Sequence, residues 1–153
     1  MTRREAFEYL KSVQNEFTAA RFSVAATHRV AQIDPTSLSA DANSVKPSHL
    51  RDCLANLEMT YVLRLFAEFE YVLRDFWQAM RPRQRGRRRT HMELLIDRIA
   101  TLLSIPTETV SAAQRVRDYR NAHVHRGDIV QELTFRDCKS ILAHFLSFLP
   151  LRW

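Results

Sequence analysis

Glycine is almost absent from this chain. Two residues in 153, Gly86 and Gly127, and five prolines are all the turn-forming residues of those types. A β-sandwich or barrel needs turn signals at short intervals, so this scarcity excludes a turn-rich β architecture and favours long helices. Cysteine is equally sparse. Cys53 and Cys138 are too few for a disulfide framework and lack metal-site spacing. Both fall in amphipathic stretches, where reduced and buried thiols are expected. No apolar run approaches the roughly 18 residues of a membrane span. The opening Met1-Thr2-Arg3-Arg4-Glu5 carries no apolar signal core. A soluble, cytoplasmic protein with no membrane partner is the expectation.

Lysine is the other scarcity. Of 23 basic residues only Lys11, Lys46 and Lys139 are lysines, and the rest are arginine. The formal net charge is +6. Arginine's planar fork suits bidentate phosphate contacts, so the balance points to phosphate-bearing partners; a GC-rich coding sequence gives the same composition without such a role. With 46% hydrophobic residues the chain is not disordered by composition, and its length suits one domain.

The hydrophobic spacing predicts five helices in a single all-α domain over residues 1–153. The first runs from Arg4 to Gln32 on Phe7, Leu10, Val13, Phe17, Ala20, Val24 and Val30. Residues 34–47, rich in Ser, Asp, Asn and Pro, read as a loop. A long central helix opens at Pro47 or Ser48 and reaches Met80, with Leu50, Leu54, Leu57, Tyr61, Leu65, Phe69, Val72 and Phe76 as its core stripe. Residues 81–89 hold six arginines in nine positions and form a linker. Thr90 and Glu93 predict a capping box for the third helix. Thr107 is expected to cap the fourth, and Thr134 the fifth, which Pro150 stops.

The fourth helix ends in Arg120-Asn121-Ala122-His123-Val124-His125, followed by Arg126 and Gly127. Gly127 stands where a helix C′ residue takes a positive φ. Metal-free cleavage of RNA needs a base for the ribose 2′-hydroxyl, an acid for the leaving oxygen, and a cation for the charged phosphorus centre. Histidine is the natural proton carrier and arginine the natural fixed cation. At about 100° per residue, Asn121 and His125 lie about 40° apart, whereas Arg120 stands about 140° from His125. One histidine cannot serve comfortably as both acid and base. A homodimer supplies two.

The six residues resemble the R-x4–6-H signature, in its R-N-x-x-x-H form, of the HEPN superfamily. Phe66-Ala67-Glu68-Phe69-Glu70 is similar to the Phe-Glu segment of the RiboL-PSP-HEPN-like branch. The resemblance implies an α-helical bundle that dimerises and a metal-independent endoribonuclease site at the dimer cleft. It also implies a toxin of a toxin–antitoxin pair, with an antitoxin protein as partner, or an antiphage effector. Arg120 and His125 carry over as catalytic and Asn121 as a positioning residue. A related signature, R-x4-H-x-Y, has tyrosine where this chain has Gly127, so control through that tyrosine is not implied.

Around this centre, His123, Arg117 and Arg126 are candidate substrate contacts; ordinary surface side chains are the alternative. Glu70 either orients a motif side chain or pairs with Arg74 at i+4. Arg85, Arg87, Arg88 and Arg89 are candidate contacts to the RNA backbone, with a solvated linker as the alternative. The aromatic residues Phe66, Phe69, Tyr71, Phe76 and Trp77 follow helical spacing and are assigned to the core or a dimer interface. No cofactor is implied, and no metal, because His123 and His125 diverge by about 160° on a helix. The competing readings are a non-catalytic helical module that binds RNA, nucleotide or a partner protein, and a purely structural dimerisation domain.

Overall fold

The computed structural model describes residues 1–34, 38, 45–81, 90–125 and 132–153. They form five helices: α1 (Arg3–Ile33), α2 (Pro47–Met80), α3 (Met92–Leu103), α4 (Thr107–His125) and α5 (Phe135–Ser147). Among the described residues there is no β-strand, only an isolated bridge between Thr2 and Arg152. The chain is all-α. The arginine run from Pro82 to Arg89, with Arg126 and Gly127, lies outside the described residues.

Helices α1 and α2 form an antiparallel hairpin. Tyr9 meets Tyr71 edge-to-face at 5.7 Å, Arg64 bonds Glu16 through Nη2 at 3.0 Å, and Phe17 lies 5.5 Å from Tyr61. The core sits at the end of this hairpin nearest Tyr9 and Tyr71. There Leu10, Val13, Leu65, Phe69, Leu73 and Phe76 are buried against α3, α4 and α5, with Phe69 edge-to-face on Phe145 at 5.6 Å. α5 repeats the pattern from its own side, burying Phe135, Cys138, Leu142, Phe145 and Leu146 at helical spacing.

The other end of the hairpin is thinly covered. The expected α2 stripe begins at Leu50, yet Leu50, Leu54, Leu57 and Tyr61 are only half-buried, and full burial starts at Val62. Val30, assigned to the α1 core face, is exposed. The reason is tertiary: among the described residues these turns have only each other to pack on until Phe135, at the head of α5, reaches Phe17 at 4.4 Å.

The helix starts show which caps the chain uses. Thr134 accepts from the Asp137 N–H while Asp137 returns a bond to the Thr134 N–H, a full capping box. A second box, Thr2 with Glu5, opens α1. The box expected at Thr90 does not form. α3 begins two residues later with His91 as N-cap and no side-chain cap, and the Thr90 carbonyl instead accepts from both Nη atoms of Arg74 at 3.2 Å. Glu93, the expected partner, pairs with Arg117 on α4. Thr107 is the first residue of α4 rather than its cap; the Pro106 carbonyl takes the first backbone donors, from Thr109 and Val110. Between α3 and α4, Ser104 adopts a left-handed conformation with φ of 53°. Cys53, expected to be buried, is exposed; Cys138 is buried, and both are free.

Candidate functional site

Gln114 and Arg117 hold helix α4 to α3, and Gln114 Nε2 donates to the Glu93 carbonyl at 3.2 Å. Gln114 Nε2 donates to Asp97 Oδ1 at 2.9 Å, and Arg117 Nη1 lies 3.1 Å from Glu93 Oε2 without hydrogen-bond alignment. Arg117 also donates to its neighbour Asp118 through Nη2 at 2.6 Å and Nε at 3.0 Å. The Arg117 side chain is only 15% exposed. Its first task in this fold is therefore to join two helices.

The inward face of α4 reads Thr109, Ala113 and Val116, all buried. Continuing one turn brings Arg120, and the next brings His123, each within about 40° of Val116 on a regular helix. Both are half-buried. The motif arginine thus extends the core stripe. Its Nη1 donates to Asn121 Oδ1 at 2.9 Å, and its Nε is buried with no hydrogen-bond partner among the described residues. His125 falls nine positions after Val116, about 180° around the helix, and is exposed. Asn121 lies between the two and is half-buried. The guanidinium reaches round the helix to Asn121, and no contact joins it to the His125 ring among the described residues.

His123 is the more closely held imidazole. Its Nδ1 stands 3.0 Å from the Tyr119 carbonyl, which can only accept, so the Nδ1–H donates. Its ring also packs edge-to-face on Tyr119, with centroids 4.5 Å apart. Burial, reinforced by Cys138, pushes the Tyr119 phenol above its ordinary value, against an opposing backbone hydrogen bond from Leu133. Tyr119 did not figure among the candidate residues. The signal available was its i, i+4 spacing to His123.

Glu70 accepts from Arg74 Nε at 2.7 Å, the i+4 pairing named as the alternative to orienting the motif. Of the aromatic set, Phe66, Phe69 and Phe76 are core, Trp77 is half-buried and Tyr71 is exposed against Tyr9. Arg85, Arg87, Arg88, Arg89 and Arg126 lie outside the described residues. Among the described residues no three His, Cys, Asp or Glu side chains are grouped to hold a metal. No helix among them is long and apolar enough to cross a membrane.

One chain therefore presents a half-buried cation and an exposed proton carrier on different sides of one helix end. No family profile matches the sequence, and neither a curated protein nor a solved structure does.

Proposed function

We propose that the chain is a metal-independent endoribonuclease of HEPN type, with a composite site made by two copies of the α4 terminus in a homodimer. The observation that carries this reading is Arg120. An arginine that extends a buried stripe, with one Nη fixed on Asn121, is a cation oriented in advance for an anion. On this reading a phosphate meets the guanidinium on the Asn121 side of the helix. His125, exposed one turn beyond Asn121, is free to transfer protons to and from RNA.

A two-fold axis near the α4 terminus brings two arginines and two exposed imidazoles to one scissile phosphate, with one imidazole as base and the other as acid. The role in the cell that accompanies this reading is a toxin held by an antitoxin, or an antiphage effector. Incubation with RNA in excess chelator tests the chemistry. Wild-type protein cleaves, whereas Arg120→Ala and His125→Ala do not; RNA binding without cleavage would instead establish the non-catalytic module.

A further inference from the structure

The outer face of α3 carries a feature that the ribonuclease reading does not use. α3 buries Leu95, Ile96, Ile99 and Ala100 in the core, but two of its leucines stay out of it: Leu94, turned away from the core, and Leu102, at the edge of the buried face, are 48% and 46% exposed. Leu94 and Leu102 line an open groove of about 590 Å³ against the last turns of α2, with Trp77, Arg81, Asp97, Arg98 and Thr101.

The polar groups of this groove sort into two kinds. Asp97 and Thr101 are turned to their own fold: the Asp97 carboxylate accepts from Gln114 at 2.9 Å, and the Thr101 hydroxyl donates to the Asp97 carbonyl at 2.9 Å. The arginines are not so engaged. Arg98 has no hydrogen bond or ion pair among the described residues, and Arg81 lies over the Trp77 ring at 4.4 Å from its centroid with no carboxylate beside it. The groove thus offers an apolar floor between two guanidinium groups.

We propose that this groove docks an acidic amphipathic helix of a partner protein. Leucine-like side chains of the partner fill the floor and its carboxylates meet Arg81 and Arg98. Charge disfavours a second copy of this chain, because a two-fold contact would bring together two surfaces that each carry Arg81 and Arg98, on molecules of net charge +6. Two half-exposed leucines also fall well short of the roughly 800 Å² per partner of a stable dimer. Single-stranded RNA fits less well, since Arg81 occupies the Trp77 face that a base would stack on and the leucines gain nothing from phosphate.

The test uses the full chain and a panel of fluorescently labelled, hydrocarbon-stapled helices of about 14 residues, with Leu at i, i+4 and i+7 and Glu on the flanks. Anisotropy is expected to show saturable binding near 10 µM, on the order of weak helix-in-groove contacts. Leu94→Ser/Leu102→Ser weakens it about tenfold or more, and Arg98→Glu does the same while gaining affinity for Lys-flanked versions. Circular dichroism confirms that the variants remain folded. Four results overturn the proposal: no panel member saturates; a scrambled acidic helix binds equally well; the double leucine variant abolishes a wild-type dimer, so that a second copy owns the face; or an RNA oligonucleotide displaces the helix in a manner that requires Trp77. None of these readouts depends on RNA cleavage.

Discussion

Arg120 donates from Nη1 to the side-chain oxygen of its neighbour Asn121 at 2.9 Å, while its own Nε is buried without a partner among the described residues. A buried, unsatisfied donor costs free energy unless something supplies an acceptor. On the proposed reading, an RNA phosphate meets the guanidinium on the Asn121 side of α4, where the amide has oriented it.

The first prediction separates charge from geometry. Arg120→Lys keeps the charge but not the fork, and RNA cleavage falls on the order of 10²–10³-fold, the cost of removing one oriented transition-state donor. Asn121→Ala leaves the cation but frees its orientation, and costs about tenfold in kcat through positioning alone. Initial rates on a fluorogenic RNA in chelator measure both. Equal activity of Arg120→Lys and wild type would remove the fork from the account.

Arg117 provides a contrast within the same helix. At 15% exposure, between Glu93 and Asp118, it holds α4 to α3. Arg117→Ala leaves Glu93 without its cross-helix partner and is expected to cost about 1–3 kcal/mol of stability. Glu93 is 63% exposed, so most of that cost comes from the arginine's lost packing and not from the ion pair. Urea denaturation of the two variants, Arg117→Ala and Glu93→Gln, checks the difference.

Capping supplies a test that involves no ligand. Thr134→Ala removes a formed box and costs about 1 kcal/mol, whereas Thr90→Ala removes a hydroxyl that caps nothing and changes stability little. A thermal melt of each variant decides. Comparable losses would mean that α3 begins at Thr90 in solution.

Cys138 makes the fold sensitive to alkali. Burial pushes its thiol up to about 12, from an ordinary value of 9. The folded protein keeps the proton that the unfolded chain releases. Its contribution is therefore complete below pH 9 and lost as pH rises from 9 toward about 12, by up to about 1.4 kcal/mol per pH unit. Cys138→Ala should flatten that alkaline limb in denaturation curves taken from pH 8 upward. In the native protein a thiol reagent modifies exposed Cys53 and leaves Cys138 intact until unfolding.

The sequence was most legible where the physics is local. Five helices, the turn at Pro106 and the Thr134 box follow from periodicity and short-range chemistry. The same rule misplaced the start of α3, because Glu93 has a better partner in Arg117 and Thr90 is held by Arg74; yet it fits Thr2 and Glu5, where no competing contact exists. Burial along α2 was less legible, since periodicity says which face turns inward but not whether another helix covers it. At the site, the 100° rule separates Arg120 from His125, and the structure adds that Arg120 lies on the core side. The edge-to-face contact of His123 with Tyr119 and the groove beside Trp77 depend on how helices meet. Neither is written in any single segment.

The central claim is that one chain holds half a site. Cleavage of RNA in excess chelator by mixtures of wild type and His125→Ala, re-equilibrated at fixed total concentration, tests it most directly. If the site needs His125 from both copies, an equal mixture retains about one quarter of the wild-type rate, because only wild-type pairs are competent. A rate of about one half would show each chain to be self-sufficient. Loss of all wild-type cleavage on chelation would contradict the metal-independent chemistry itself.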